Sequence, residues 1–597
     1  MEKNTLKNEI ASRLGLEVAS DPKLLEECQK LCENYGISPQ DLQFKWEAAT
    51  FNSGTFTPAR EAARFTIDSL AGVRTQIKRE LEQGSGSAKK KTQVRSLASG
   101  VASINRNKMP FGLNRNVVAA QLAPEPQVKP ELDLDQVIDF SPGGTRGQTN
   151  AGPSKVTFKG PKNDLESRKN RVYRYMFERT SERGEVLDSR IEEIAELVQT
   201  HYGIPEFTDP VNVTDEEIFV VGRITHDIDS QIKLTDATLT LETSRQISNH
   251  YGARIALRFD PAVKIRGGAK GAGALGLFPG AILAFKGRNG GANWFSVTEI
   301  LALPVLLSSP SMKPSPDDDS FSMMIASGPF TPESDLSYKP WDTFTQIIKR
   351  SKPSVVLLLG PFVDALHPLI KAGDIDETPL DTFHRVFLQP LRDFLNSSPG
   401  SIAILVPSVR DLVNSHTVYP QSEFQKLVTK SDPRIQLVPN PGLFSINNIS
   451  FGATSLDVLF HLRKEEIIKR GQEVESVPSL SADDNGADPL SNACRHLLQQ
   501  RSFYPVFPVP EELCNEINLD VTHSAGLRID SEVDGISPDV LILPSKYRQF
   551  YKNVNSTAAI NPSTLVKGYY SSVSVATSAP GRTLKDRLNI GIVKLEE

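Results

Sequence analysis

The spacing of apolar positions changes character along this chain, and each change marks a unit. Up to residue 82 the apolar residues recur every three or four positions. Asp21-Pro22 opens a run carrying Leu24, Leu25, Cys28, Leu31 and Cys32 on one stripe, and Gly36 closes it. Ser38-Pro39 opens a second run with Leu42, Trp46 and Ala49. Thr57-Pro58 opens a third with Ala62, Phe65, Leu70, Val73, Ile77 and Leu81. This predicts a helical bundle over 1–82, equally suited to docking and to a purely structural role. Over 83–164 the periodicity vanishes into Gly, Ser, Pro, Gln and Asn, the composition of a disordered linker.

Helical spacing returns at 165–200, through Val172–Phe177 and then Ile191, Ile194, Leu197 and Val198. From 211 to 306 it gives way to short β-rich runs at 219–224, 237–242, 253–259, 281–285 and 294–300, which predict a small Greek-key barrel of the OB type. Together 165–307 form a helical lead-in plus barrel. A Ser/Pro/Asp stretch at 308–320 is a second linker. Over 321–597 apolar strands alternate with helices: strands at 322–326, 355–359, 402–406, 435–438, 446–451 and 540–543, closing strands near 569–577 and 589–595, and helices at 341–350, 380–396 and 455–470. This is an α/β sandwich with mixed sheets. The acidic, Gly/Ser-rich stretch 471–490 reads as a loop insertion. The fold class is therefore multidomain α+β.

Charge adds one local feature. The net charge of −5 argues against a whole-chain nucleic-acid binder. Over 83–130, however, Lys89, Lys90, Lys91, Arg95, Arg106, Lys108, Arg115 and Lys129 face a single acid, Glu125. Such a basic tether suits nucleic-acid contact or nuclear import, although a solvated spacer is the simpler reading. No apolar run reaches membrane-spanning length. Cys28 and Cys32 read as two buried thiols, because no further Cys or His nearby completes a zinc site. Thr57 and Ser141, each before proline, are candidate phosphorylation sites.

The chemistry-bearing motifs look like those of a metallophosphoesterase with the ligands removed. Val355–Leu359 leads into Gly360-Pro361-Phe362-Val363-Asp364, where the frame Gly-Asp-x-x-Asp would present carboxylates to metal. Two-metal hydrolysis needs ions held roughly 3.5–4 Å apart, and Pro361 has no side-chain ligand atom. Gly328 and Phe330 stand where Asp-x-His is needed. Val409 and Arg410, before Asp411, stand where Asn-His is needed, and Pro544 falls in the place of Gly-His-x-His. Asp364 and Asp411 alone make no binuclear site and read as structural hydrogen-bond acceptors. No catalytic residue, metal or cofactor is expected. Gly271-Ala-Gly273-Ala-Leu-Gly276 matches a dinucleotide fingerprint by letter, but Pro279-Gly280 follows where a helix is required, so it reads as a mobile loop. Of the barrel aromatics, Phe219, Phe259, Phe285, Trp294 and Phe295, most read as core. The bases Lys264, Arg266, Lys270, Lys286 and Arg288 read as loop residues.

In combination, Val221–Ile224, Leu241–Arg245, Leu277–Gly280, Ser327–Pro332, Leu359–Asp364, Val406–Asp411, Phe503–Pro505 and Pro538–Ser545 resemble the B-subunit family of DNA polymerase alpha, over about 165 to the C-terminus. The resemblance implies a non-catalytic accessory subunit of the polymerase alpha–primase complex, acting in the nucleus at the initiation of DNA replication. It implies an OB domain packed on an inactivated calcineurin-like phosphoesterase domain. It further implies that these grip the zinc-containing C-terminal domain of the catalytic subunit, with primase in the same complex, other replication factors recruited by the helical domain, DNA contact weak or indirect, and no membrane. Two other readings compete: a divergent metal-dependent phosphodiesterase or nuclease with relocated ligands, and an OB-fold single-stranded DNA-binding protein.

Overall fold

The computed structural model describes residues 21–35, positions 10, 39, 40 and 42 near them, and 154–596 apart from 163, 227–232, 249–251, 292, 309–319, 427, 479–485, 531–534 and 579–582. The chain divides into a unit over Met1–Val137 and one over Ile138–Glu597. The expected helices beyond residue 42, the linker stretch 83–153, the positions Thr57 and Ser141, and most of the second linker lie outside the described residues.

In the first unit, helix α1 (Pro22–Tyr35) starts where its signal placed it. The Asp21 carboxylate accepts from the Lys23 and Leu24 amides at 3.0 and 3.4 Å. Leu24, Cys28 and Cys32 are buried on one face, and burial pushes the Cys28 thiol up to about 12.

The second unit begins earlier than the sequence suggests. Residues 154–159, read as the end of the linker, belong to the fold: β1 (Phe158–Lys159) pairs with a later hairpin and Val156 is buried. After α2 (Leu165–Asn170) the expected helical continuation over Val172–Phe177 is absent. Tyr173 and Met176 take left-handed φ values of 45° and 67° instead, because the Tyr173 ring is drawn into a buried contact with His416. Helix α3 (Thr180–Tyr202) buries Ile191, Ile194, Ala195 and Val198 and stops at Gly203 in the left-handed region, φ 65°.

The barrel strands are β2 (Thr214–His226), β3 (Leu239–Glu242), β4 (Arg254–Arg266), β6 (Ile282–Asn289) and β7 (Trp294–Leu301), with β5 (Ala274–Leu277) beside them. They pair β2–β3–β4–β7–β6–β2, so the ring closes, with β4 and β7 parallel. The sequence runs over 219–224 and 294–300 fall within these strands, and those over 237–242, 253–259 and 281–285 overlap them, beginning one or two residues early. Alternation puts Val220, Ile224, Leu241, Leu257, Phe285 and Phe295 inside.

The α/β part has two packed sheets. One runs β11–β10–β9–β8–β19–β20: Ile435–Leu437, Ile402–Val406, Val355–Leu359, Phe321–Ser327, Tyr569–Val575 and Leu588–Lys594. Strands β8 to β11 are parallel, and every residue of β9 and β10 is buried, which is why both read as unbroken apolar runs. The other sheet runs β1–β12–β13–β16–β18–β17, with β12 Gly442–Ile446, β13 Ile449–Ala453, β16 Val540–Ile542, β17 Phe550–Val554 and β18 Thr557–Asn561. The facing sides share a core of Met323, Ile325, Leu357, Ile404, Phe451 and Val540. Outside the first sheet pack α4 (Lys339–Ser351), α5 (Pro368–Ala372), α6 (Pro379–Phe383), which continues through a π turn at His384–Leu388, and α7 (Gln389–Ser397).

Three expectations are corrected here. The single strand at 446–451 is a hairpin, because Asn447 and Asn448 turn the chain with φ 46° and 63°. The helix expected over 455–470 ends early: α8 is Val458–Glu465, after which Ile467–Arg470 becomes β14. The stretches 267–276 and 471–490, read as mobile loops, carry β5, β15 (Gln472–Val474) and the start of helix α9 (Pro489–Gln499). β14 pairs antiparallel with β5 and β15 pairs parallel with β4, so the α/β part adds strands to the barrel. The chain ends with α10 (Leu584–Arg587) running into β20.

Candidate functional site

Parallel strands carry their chemistry at their C-terminal ends, where the loops can converge. The sequence places Gly328, Phe330, Pro361, Asp364, Val409, Arg410 and Asp411 after β8, β9 and β10. These loops are knitted together. Gly328 N–H donates to Leu359 O at 2.8 Å and Gly360 N–H to Val406 O at 2.9 Å. The peptides before Pro329 and Pro361 are cis. A Cβ on Gly328 would overlap the Pro361 carbonyl, and one on Gly360 would overlap the Asp411 carboxylate, so only glycine allows this closeness. Phe330 lies in an aromatic cluster, its ring 5.3 Å from Phe362, 5.5 Å from Trp341 and 5.1 Å from Phe387.

The carboxylates sit beside one another, since Asp364 and Asp411 form an isolated β-bridge. Arg410 faces Asp364 with a two-pronged contact, Nε to Oδ1 at 3.0 Å and Nη2 to Oδ2. Asp364 also accepts from the Leu366 amide at 2.9 Å. Asp411 accepts only from backbone: the Phe362 amide, the Val363 amide at 3.3 Å and the Ser408 amide at 2.7 Å. Burial raises the Asp411 carboxyl to about 7; its backbone donors work against this, and the neighbouring Asp364 charge adds to it. Both carboxylates are occupied as acceptors. Among the described residues no group of three or more His, Cys, Asp or Glu is arranged to hold a metal ion.

Val409 packs against the barrel-side core, away from the carboxylates. Pro544 lies apart, at the end of β16 in the other sheet. Its neighbours Ser545 and Lys546 donate backbone N–H groups to Asn561 at 3.0 Å and Asp457 at 2.6 Å. Between the two regions runs a buried polar network. Gln421 donates to Ser408 O and His416 O, and Asn440 accepts from Thr454, whose hydroxyl meets Tyr419. Every one of these contacts fixes a loop.

On the barrel, Phe285 and Phe295 are buried, Phe219 and Phe259 pack against the core, and Trp294 is exposed. Four of the bases expected in loops are in strands, Lys264 and Arg266 in β4 and Lys286 and Arg288 in β6, because those strands run further than their apolar runs. Arg266 is neutralised by Glu299 at 2.7 Å and Lys286 by Glu217 at 2.8 Å.

The resemblance implies that barrel and α/β part pack together, but the residues that make the joint were missed by sequence reasoning. The Gln500 side chain bonds both polar groups of the Ile282 backbone, at 3.1 and 2.9 Å, and Gln499 donates to Leu303 O at 3.1 Å. Gly276 leaves room for the Glu466–His496 contact at 3.0 Å. Gly280, φ 97°, lies against the backbone of Pro505–Phe507, where a Cβ would not fit. A single apolar cluster runs from α3 through the barrel into α8, α9 and β16. The motif Leu277-Phe-Pro-Gly280 was the available signal.

Comparison with known proteins gives this body a family. Residues 323–552 match the family model for the B subunit of DNA polymerases alpha and epsilon, and 184–303 match the model for the OB domain of the DNA polymerase alpha B subunit. The chain is 28% identical over 569 residues to the DNA polymerase alpha B subunit of Schizosaccharomyces pombe, covering 92% of each chain. It is 30% identical over 401 residues to the protein of that name from Mus musculus, covering 66% of this chain and 60% of the relative. For the one from Saccharomyces cerevisiae it is 28% over 449 residues, covering 68% of this chain and 60% of the relative. Two adjoining domain models and similarity over 92% of one relative agree: the chain is similar to the B-subunit family of DNA polymerase alpha.

Proposed function

We propose that this protein is a non-catalytic scaffold within a DNA polymerase alpha–primase assembly, gripping the zinc-containing C-terminal domain of the catalytic subunit and supporting initiation of replication in the nucleus. The observation that carries this reading is the shared core of barrel and α/β part, which gives one continuous surface in place of two independently moving domains. A stable grip of this kind buries on the order of 2,000 Å² or more. The α/β part is read as an inactivated calcineurin-like phosphoesterase, with Gly328, Phe330, Pro361, Val409, Arg410 and Pro544 where ligands would stand. Arg410 occupies Asp364 with a fixed cation, and glycine contacts close the loops over the space between strand ends. The helical stretch 1–82 serves as a recruitment module for other replication factors, and the basic linker as its tether.

The full-length chain mixed with the C-terminal domain of the catalytic subunit is expected to co-elute as a one-to-one complex, with mass read by light scattering. Separate monomers at micromolar concentration would sink the scaffold reading. The enzyme alternative requires stoichiometric bound manganese or zinc and metal-dependent phosphodiester hydrolysis, and neither is expected.

A further inference from the structure

Three parts of the chain meet around a cavity of about 70 Å³. Helix α3 contributes Leu187 and Arg190, the barrel Arg223, and the segment after α9 Arg501 and Phe507, with Ser524 opposite. No Asp or Glu belongs to its wall among the described residues. The volume exceeds what one water needs several-fold, so a small polyatomic guest fits.

The arginines around it are short of acceptors. Arg223 is 4% exposed and carries five N–H donors. It gives one hydrogen bond, to Leu187 O at 2.6 Å, and stands 3.7 Å from Glu242, its guanidinium over the Phe507 ring. Glu242 is shared with Arg254 at 3.2 Å. Arg190 bonds Glu193 and Gln500 O, both at 2.5 Å, and Arg501 O at 3.4 Å, and Glu193 is shared with Arg528 at 2.7 Å. Arg501 reaches Asp530 at 3.5 Å, Asp530 is shared with Arg528, and the buried Arg501 Nε has no acceptor. Nearby Asp188 is taken by Arg245. Arg190, Arg223 and Arg501 thus line a cavity with no acid in its wall, and the acids they reach, Glu193, Glu242 and Asp530, are shared with Arg254 and Arg528. After burial, the charge of Arg190 is among the influences lowering the proton affinity of both Arg223 and Arg501. Arg501 also holds φ 50° just past the end of α9, where glycine is the usual residue.

We propose that this cavity is a binding site for a small phosphate monoester, its oxyanion facing Arg190 and Arg223 and its apolar body lying against Leu187, Phe507 and Leu527. A phosphate monoester carries close to two negative charges at neutral pH and so meets Arg190 and Arg223 together, where a carboxylate brings a single charge. Guanidinium forks match its oxygens. The guest is a free small molecule, because a cavity of about 70 Å³ holds only a small group.

The test is calorimetric titration of the full-length protein with phenyl phosphate and with inorganic phosphate at constant ionic strength. Saturable one-to-one binding is expected, tighter for phenyl phosphate. Arg223→Met should weaken it by about ten-fold or more. Because Arg223 is buried, a second variant guards against misfolding: Ser524→Glu places a carboxylate in the wall and should abolish binding while the melting temperature holds or rises. Absence of saturable heat with the unaltered protein, or unchanged binding in Ser524→Glu, overturns the proposal.

Discussion

Asp364 and Asp411 stand side by side and are held in opposite ways, one by a guanidinium and the other by peptide N–H groups. Removing Arg410 leaves the nearly buried Asp364 without its cation. Arg410→Met should therefore cost about 1–3 kcal/mol, at the lower end because the arginine is partly exposed, read from urea unfolding. Asp411 makes a different prediction. Its folded carboxyl holds a proton more tightly than the unfolded one, whose value is 3.8, up to about 7. Its protonation favours the folded state, so its contribution is largest below about pH 4 and declines as pH rises towards 7. Asp411→Asn removes that slope. The stability difference between the two proteins should shift in favour of Asn across this window, and parallel curves would show that Asp411 is already ionised. That Gly328, Phe330 and Pro361 carry no metal-binding side chain was legible in the chain. The Arg410–Asp364 contact was not, since it needs two loops 46 residues apart to meet.

At the level of elements, what sequence carried well was period. β9 and β10 are buried on both faces and could be nothing but central strands. What it carried poorly was where a pattern stops. Asn447-Asn448 is a two-residue hairpin signal, but the flanking apolar residues hid it inside one long run. Both asparagines hold left-handed φ, and the Asn447 side chain also accepts from the Thr157 amide at 2.8 Å, tying β1 to the sheet. Asn448→Gly should be neutral or stabilising by up to about 1 kcal/mol, whereas Asn448→Val should cost roughly 1–2 kcal/mol in the same unfolding assay. α8 illustrates the same weakness: its helical spacing runs on past Glu465, yet Glu466 is drawn to His496 and the β-branched Ile467 and Ile468 enter a strand.

For the whole molecule, the joint between barrel and α/β part decides behaviour. Local periodicity holds no information about β14 meeting β5 or Gln500 meeting Ile282, so these contacts were invisible in the chain, although the resemblance and the motif Leu277–Gly280 pointed to a joint. Gly280 is its most sensitive point, at φ 97° against the Pro505–Phe507 backbone. Residues 154–596 should unfold in one calorimetric transition. Gly280→Ala should split it, with the barrel melting first, and a single unshifted transition in that variant would show that the joint contributes little.

The strand exchange also bears on how the protein is made. Ile467, the first residue of β14, follows Leu277, the last of β5, by 190 residues. At about 5–20 residues per second a ribosome needs roughly 10–40 s to cover that distance. For most of that interval, once Leu301 at the end of β7 has been made, the nascent barrel has every strand of its ring but exposes the edges of β5 and of Lys264–Arg266. Unpaired edges are templates for the wrong partner. Chains stalled or truncated before residue 467 are therefore the ones expected to engage chaperones and to aggregate, and release from quality control waits on a segment encoded far downstream.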